Sequence, residues 1–159
     1  MPEFDGTPQR GPQTRGAWRW LRASACIVGV AVAGPGQAQI EDVEGRLLIE
    51  LNAAQSDARG CSLSFLVING LSAPIQRLVL EAVLFDTGGQ VNTLTLFDFG
   101  ELPATRPRVR QFVLPETPCE GVGAVLINGS DTCEAQGDTA LNCADALDLR
   151  SRTDIELLG

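Results

Sequence analysis

RLVLEAVLFD, residues 77–86, is the most apolar run of the chain beyond residue 40. One parity reads Leu78, Leu80, Ala82, Leu84; the other reads Val79, Glu81, Val83, Phe85. Glu81 is the only charge inside the run, so both faces are largely apolar. Successive side chains of a strand point to opposite faces, and a strand apolar on both belongs in the middle of a packed β structure. The glycines of DTGGQ (86–90) end the run in a turn.

Toward the C-terminus, QVNTLTLFDF (90–99) reads as the next strand, joined through DTGG as a hairpin. GELPATRP (100–107) is a connection, RVRQFVL (108–114) a strand, PETPCE (115–120) a loop and GVGAVLIN (121–128) another strand. GSDTCEAQGDTALNCADA (129–146) reads as a long loop with one helical turn around Thr139 to Ala146, and LDLRSRTDIELL (147–158) supplies one or two last strand segments. Toward the N-terminus, CSLSFLVIN (61–69) places Cys61, Leu63, Phe65 and Val67 on one face. RLLIELN (46–52) is a further strand, and AAQSDARG (53–60) a turn-rich connection. About seven short strands with almost no helical period predict an all-β, immunoglobulin-like β-sandwich over residues 46–158, with a small barrel as the alternative. The expected core is Leu47, Ile49, Leu63, Phe65, Val67, Leu80, Ala82, Leu84, Leu94, Leu96, Val125 and Ile127. Ile-Asn-Gly occurs at 68–70 and again at 127–129, and both copies read as a strand-ending turn.

Residues 1–38 read differently. MPEFDGTPQRGPQTRG (1–16) carries no apolar period and reads as a disordered start. RGAWRWLR (15–22) is positive, ASACIVGVAVA (23–33) is a short apolar core, and GPGQAQ (34–39) supplies small residues Gly36 and Ala38. That order describes a secretory signal peptide cleaved after Ala38. The apolar core has 11 residues, well short of the ~20 that span a bilayer. The apolar residues of that core follow Cys26 rather than precede it, which argues against a lipoprotein site, and no adjacent arginine pair marks a twin-arginine route. The expected organisation is therefore a disordered start plus signal peptide over 1–38 and a β-sandwich domain over 39–159, periplasmic or secreted, with no transmembrane span after cleavage.

The chain has 159 residues, 12 basic residues that are all arginine, 20 acids, no histidine and no tyrosine. Its net charge of −8 repels phosphate backbones and excludes nucleic acid as a natural partner. Cleavage at Ala38 leaves 8 arginines against 18 acids, a net −10. Without histidine there is no Ser-His-Asp or Cys-His arrangement, and without lysine no Schiff base or P-loop. Carboxylate pairs remain, but residues 39–159 contain no Trp or Tyr on which a sugar ring would stack. The expectation is no enzyme, no catalytic residue and no cofactor.

Cleavage also leaves four cysteines, Cys61, Cys119, Cys133 and Cys143. An even number in a small exported domain implies disulfides, with three pairings open. In an immunoglobulin-like order the second and sixth strands run the same way in facing sheets. Cys61 and Cys119 then sit at one end of the sandwich, and Cys133 and Cys143 close the long loop on itself. This favours 61–119 with 133–143. No C-x₂₋₄-C spacing supports zinc. Asp131, Glu134, Asp138, Asp145 and Asp148 in and beside the loop 129–146 are oxygen ligands of the type calcium takes, but Cys133 and Ala135 occupy ligand places of an EF-hand, and a solvated loop is the simpler reading. Arg106, Arg108 and Arg110 alternate and form a stripe that continues into Phe112 and Leu114. Either the strand is regular only from about Arg110 onward, or a bulge switches faces. Pairing with carboxylates such as Asp98 or Glu101 is the simpler reading than an anion site.

The block CSLSFLVINGL…LVLEAVLFDTGGQVNTLTLFDFGELPATRPRVRQFVLP…C…VLINGSDTCE resembles a group of small exported proteins of alphaproteobacteria, usually called hypothetical and sometimes labelled "Tat pathway signal". The resemblance covers about residues 47–158. It implies a periplasmic address and no particular activity. The functional expectation is a non-catalytic exported binding or adaptor domain whose partner is an envelope protein. A structural or small-solute and calcium-binding domain is the alternative.

Overall fold

The computed structural model describes residues 43–159 apart from 136 and 138–140; the expectations for residues 1–38 lie outside the described residues. The chain forms β1 (Leu47–Asp57), β2 (Gly60–Asn69), β3 (Ile75–Asp86), β4 (Val91–Leu102), β5 (Arg108–Pro115), β6 (Val122–Ala135), β7 (Leu147–Ser151) and β8 (Glu156–Leu158), with a 3₁₀ turn at Cys119–Gly121. They make two four-stranded sheets, β5-β2-β1-β7 and β4-β3-β6-β8, packed face to face over a shared core. β3 lies between β4 and β6, where a strand apolar on both faces belongs. Leu78, Leu80, Ala82 and Leu84 are buried, and so are Val79 and Val83 of the opposite parity.

The neighbours β5-β2-β1 and β4-β3-β6 are those of an immunoglobulin-like order. The last two strands depart from it, because β7 runs parallel to β1 and β8 parallel to β6. After β6 the chain crosses to the first sheet as β7, reverses through residues 152–155 and returns to the second sheet as β8. The reversal is held by the Ser151 hydroxyl on the Ile155 carbonyl at 2.6 Å and by the Arg152 N–H on the Leu51 carbonyl at 2.9 Å.

Several boundaries differ from expectation. AAQSD is strand, paired through Gln55–Ser62 and Ser56–Cys61. Small polar residues hide the alternation, but the backbone ladder continues after a bulge at Asn52. The true turn is Ala58–Arg59, closed by the Asp57 carboxylate accepting the Arg59 N–H at 2.7 Å. The second Ile-Asn-Gly does not end a strand. Gly129 pairs with Glu81 beside a bulge, and β6 runs on to Ala135. Residues 143–146 form turns rather than a helical turn. Leu94 and Leu96 are not core residues: they are 71% and 55% exposed. Phe97 and Phe99 of the other parity go inside, because burying Leu94 and Leu96 on a regular strand would bury Asp98 as well. The two phenylalanines pack on Phe65 of β2, with ring centroids 5.6 and 5.8 Å away, and Phe112 of β5 stacks on Phe97 at 4.4 Å. Fully burying each such side chain is worth roughly 1.5–3 kcal/mol.

Candidate functional site

The aromatic cluster fixes one open side of the sandwich, where β4 of the second sheet and β5 of the first lie at their sheet edges. An edge strand offers unpaired N–H and C=O groups, and natural proteins blunt it with charge, proline or brevity. β5 carries Arg108 and Arg110, is preceded by Pro107 and ends at Pro115. β7 has five residues including Asp148 and Arg150, and β8 only three including Glu156. β4 has twelve residues, and from Thr87 to Phe97 the chain has no charge at all.

The direction of the free backbone groups follows from the hairpin. The Asp86 N–H donates to the Gln90 carbonyl at 2.9 Å, so Asp86 faces β4. Alternate residues of an antiparallel strand face the same neighbour, which turns Leu84, Ala82 and Leu80 to their partners Thr93, Thr95 and Phe97. Leu94 and Leu96 therefore direct their N–H and C=O away from β3, with no strand paired to them among the described residues. Past a bulge at Phe99 the free carbonyls are those of Phe99 and Glu101. Both are taken by Arg110, whose Nε donates to Phe99 at 2.6 Å and Nη2 to Glu101 at 3.1 Å. Arg110 thus seals one end of the edge. Away from that seal, Leu84, Thr93, Thr95, Phe97, Phe112 and Leu114 line a groove of ≈ 380 Å³ between β4 and β5, within the size range of binding clefts.

Of the arginine stripe, Arg106 lies in the connection before β5 and only Arg108 and Arg110 are on the strand, which needs no bulge. β5 pairs with β2 in unbroken register from Arg108 to Pro115, and its inward parity changes from charged to apolar because the arginines lie at the open side. Arg110 binds main-chain carbonyls rather than the expected carboxylates, while Asp98 pairs with Arg77 at 3.0 Å. Arg108 donates to the Pro107 carbonyl at 3.3 Å.

The cysteines pair as expected, Cys61 with Cys119 and Cys133 with Cys143. Among the described residues, no three carboxylates or cysteines converge as a metal site. Asp131 and Glu134 lie on β6, and Asp148 on β7 is held by Arg46 at 2.9 Å and Arg150 at 3.0 Å; Asp138 lies outside the described residues. Hydrogen bonds from Arg59 hold the Asp57 carboxyl below its ordinary value, and the Arg77 hydrogen bond does the same for Asp98. Such groups are stabilised as anions, the opposite of what a general acid needs. The described residues contain no helix long and apolar enough to cross a membrane. The two disulfides belong to an oxidising compartment.

Sequence reasoning missed the β4 edge. Its signal was present in the eleven uncharged residues between Asp86 and Asp98, but it reads as an edge only once β4 is placed outside β3. Compared with known proteins, the chain matches no family model, no curated protein and no solved structure.

Proposed function

We propose that this protein is a non-catalytic binding module of the cell envelope that takes a protein partner by accepting an extended strand along β4. Strand addition uses main-chain hydrogen bonds for affinity and side-chain contacts for selectivity. The observation that carries the reading is the edge itself: free backbone groups at Leu94 and Leu96, two exposed leucines and no charge. The signal-peptide pattern of residues 1–38 and the two disulfides support an exported, periplasmic setting. The missing histidine and lysine support a role without chemistry.

Capture from envelope extract under crosslinking tests this, with the protein and its Leu96→Pro variant compared. Proline at 96 removes an outward N–H and leaves the β3 ladder intact. A specific protein recovered in about equimolar amount by the unsubstituted chain and lost with Leu96→Pro is the expected result. Equal recovery by both would remove β4 from the reading. No recovery, together with a melting temperature raised by calcium, would favour the small-solute alternative.

A further inference from the structure

We propose that the strand β4 accepts is β4 of a second copy of this chain, which makes the protein a two-fold dimer with one continuous eight-stranded sheet. This rests on the strand-accepting reading above and names its partner. The open part of the edge is bounded on both sides. At one end Arg110 already occupies the Phe99 and Glu101 carbonyls; at the other, the β3 register breaks between Val91 and Thr93. The window between is residues 92–98, and its midpoint is Thr95.

An isologous interface requires a surface that complements itself under a two-fold rotation. The outward parity of the window reads Asn92, Leu94, Leu96, Asp98: polar, apolar, apolar, polar. Antiparallel pairing with Thr95 on the axis sets Leu94 against Leu96 of the second copy, and the reverse, as hydrogen-bonded pairs. Four main-chain bonds form between the copies at these positions. Four leucines then meet on the outer face, flanked by Val83, the cross-strand partner of Leu94. Asp98, ion-paired with Arg77, comes opposite the Asn92 amide of the second copy, so no carboxylate opposes another. That electrostatic match matters in a chain of net charge −8, where two copies repel one another across most orientations. A foreign strand would impose no such symmetry on the window.

Sedimentation velocity of the purified protein is expected to give twice the chain mass. Leu96→Pro and Leu94→Lys should each return it to one chain mass with an unchanged far-UV spectrum, since both positions lie outside the core. Thr95 falls on the axis at a non-hydrogen-bonded pair, where Cα atoms approach to ~4.5 Å, within disulfide reach. Thr95→Cys, combined with Cys26→Ser, should therefore oxidise to a covalent dimer, and Val109→Cys on the exposed face of β5 should not. A dimer unaffected by either edge substitution would overturn the proposal. So would a monomer that still captures another envelope protein through a Leu96-dependent contact, and that result would leave the strand-accepting function standing. A monomer that captures nothing would overturn both.

Discussion

Asn69 is buried at the end of β2, and its side chain holds three pieces of chain together. Its amide donates to the carbonyls of Ala73 and Leu102 at 3.0 Å each, and its Oδ1 accepts the Leu71 N–H at 3.0 Å. Asn69→Ala would strand two carbonyls and one N–H away from these partners. Each such group costs ~1–3 kcal/mol, less where water reaches it, so we expect a loss of about 2–4 kcal/mol. A urea midpoint lowered at unchanged slope is the readout. Glu50 works electrostatically. Burial pushes its carboxyl up, but hydrogen bonds from Arg152 at 2.7 Å and Asn52 at 3.1 Å, with the Arg152 charge, hold it below the ordinary value. A carboxylate lowered in the folded state stabilises above its unfolded pKa of ~4.3 and loses that contribution as pH falls through the folded value. Because the Arg152 side chain is 68% exposed, Glu50→Gln should cost only about 1 kcal/mol at neutral pH. Denaturation curves of the variant and the parent should therefore draw together as pH falls below the ordinary carboxylate range and through the lowered folded value.

β3 and β4 show what a sequence reveals of an element and what it does not. The both-sided apolar run of β3 placed it inside a sheet, and the structure puts it there. Period and composition also located β2 and β5 to within a residue or two. β4 resisted because its two parities compete, Leu94 and Leu96 against Phe97 and Phe99. Asp98 settles the contest, and it lies at the far end of the strand from the leucines. β1 and β6 outran their expected ends because backbone pairing continues through residues with no hydrophobic alternation, as at Gln55–Ser62 and Glu81–Gly129. The edge of β4 could not be read locally at all, since being an edge depends on which strands lie elsewhere. The two disulfides were legible from strand order, and they differ in what they constrain. Cys61–Cys119 spans 58 residues and joins the start of β2 to the turn before β6, whereas Cys133–Cys143 spans 10. Loop-closure entropy gives about 4 kcal/mol for the first and about 2.7 kcal/mol for the second. Replacing both cysteines of each pair by alanine, one pair at a time, should reproduce that order in thermal melts. A larger loss from the shorter loop would mean that native contacts of Cys143, buried in the core, outweigh the chain-entropy difference.

The sandwich as a whole is closed on one side and open on the other. β7 and β8 straddle the two sheets on the closed side; on the open side Arg110 hydrogen-bonds the end of β4 and Phe112 packs on Phe97 and Phe99, but no strand closes the gap between β4 and β5 among the described residues. An uncharged strand edge is a hazard in a crowded reducing cytoplasm before disulfides form. It is compatible with a chain that folds after export and meets its partner there. Export is the remaining expectation, and composition makes it easy to test. Trp18 and Trp20 are the only tryptophans and tyrosine is absent, so both strong near-ultraviolet chromophores lie within the stretch read as signal peptide. Cleavage after Ala38 should yield a protein that begins at Gln39 and absorbs almost nothing at 280 nm beyond its disulfides, although it absorbs normally at 215 nm. N-terminal sequencing of the natively processed protein, read beside its spectrum, checks both halves. A first residue upstream of Ala25, or an absorbance that still requires two tryptophans, would rule the cleavage out and return the uncharged edge of β4 to the compartment in which the chain is made.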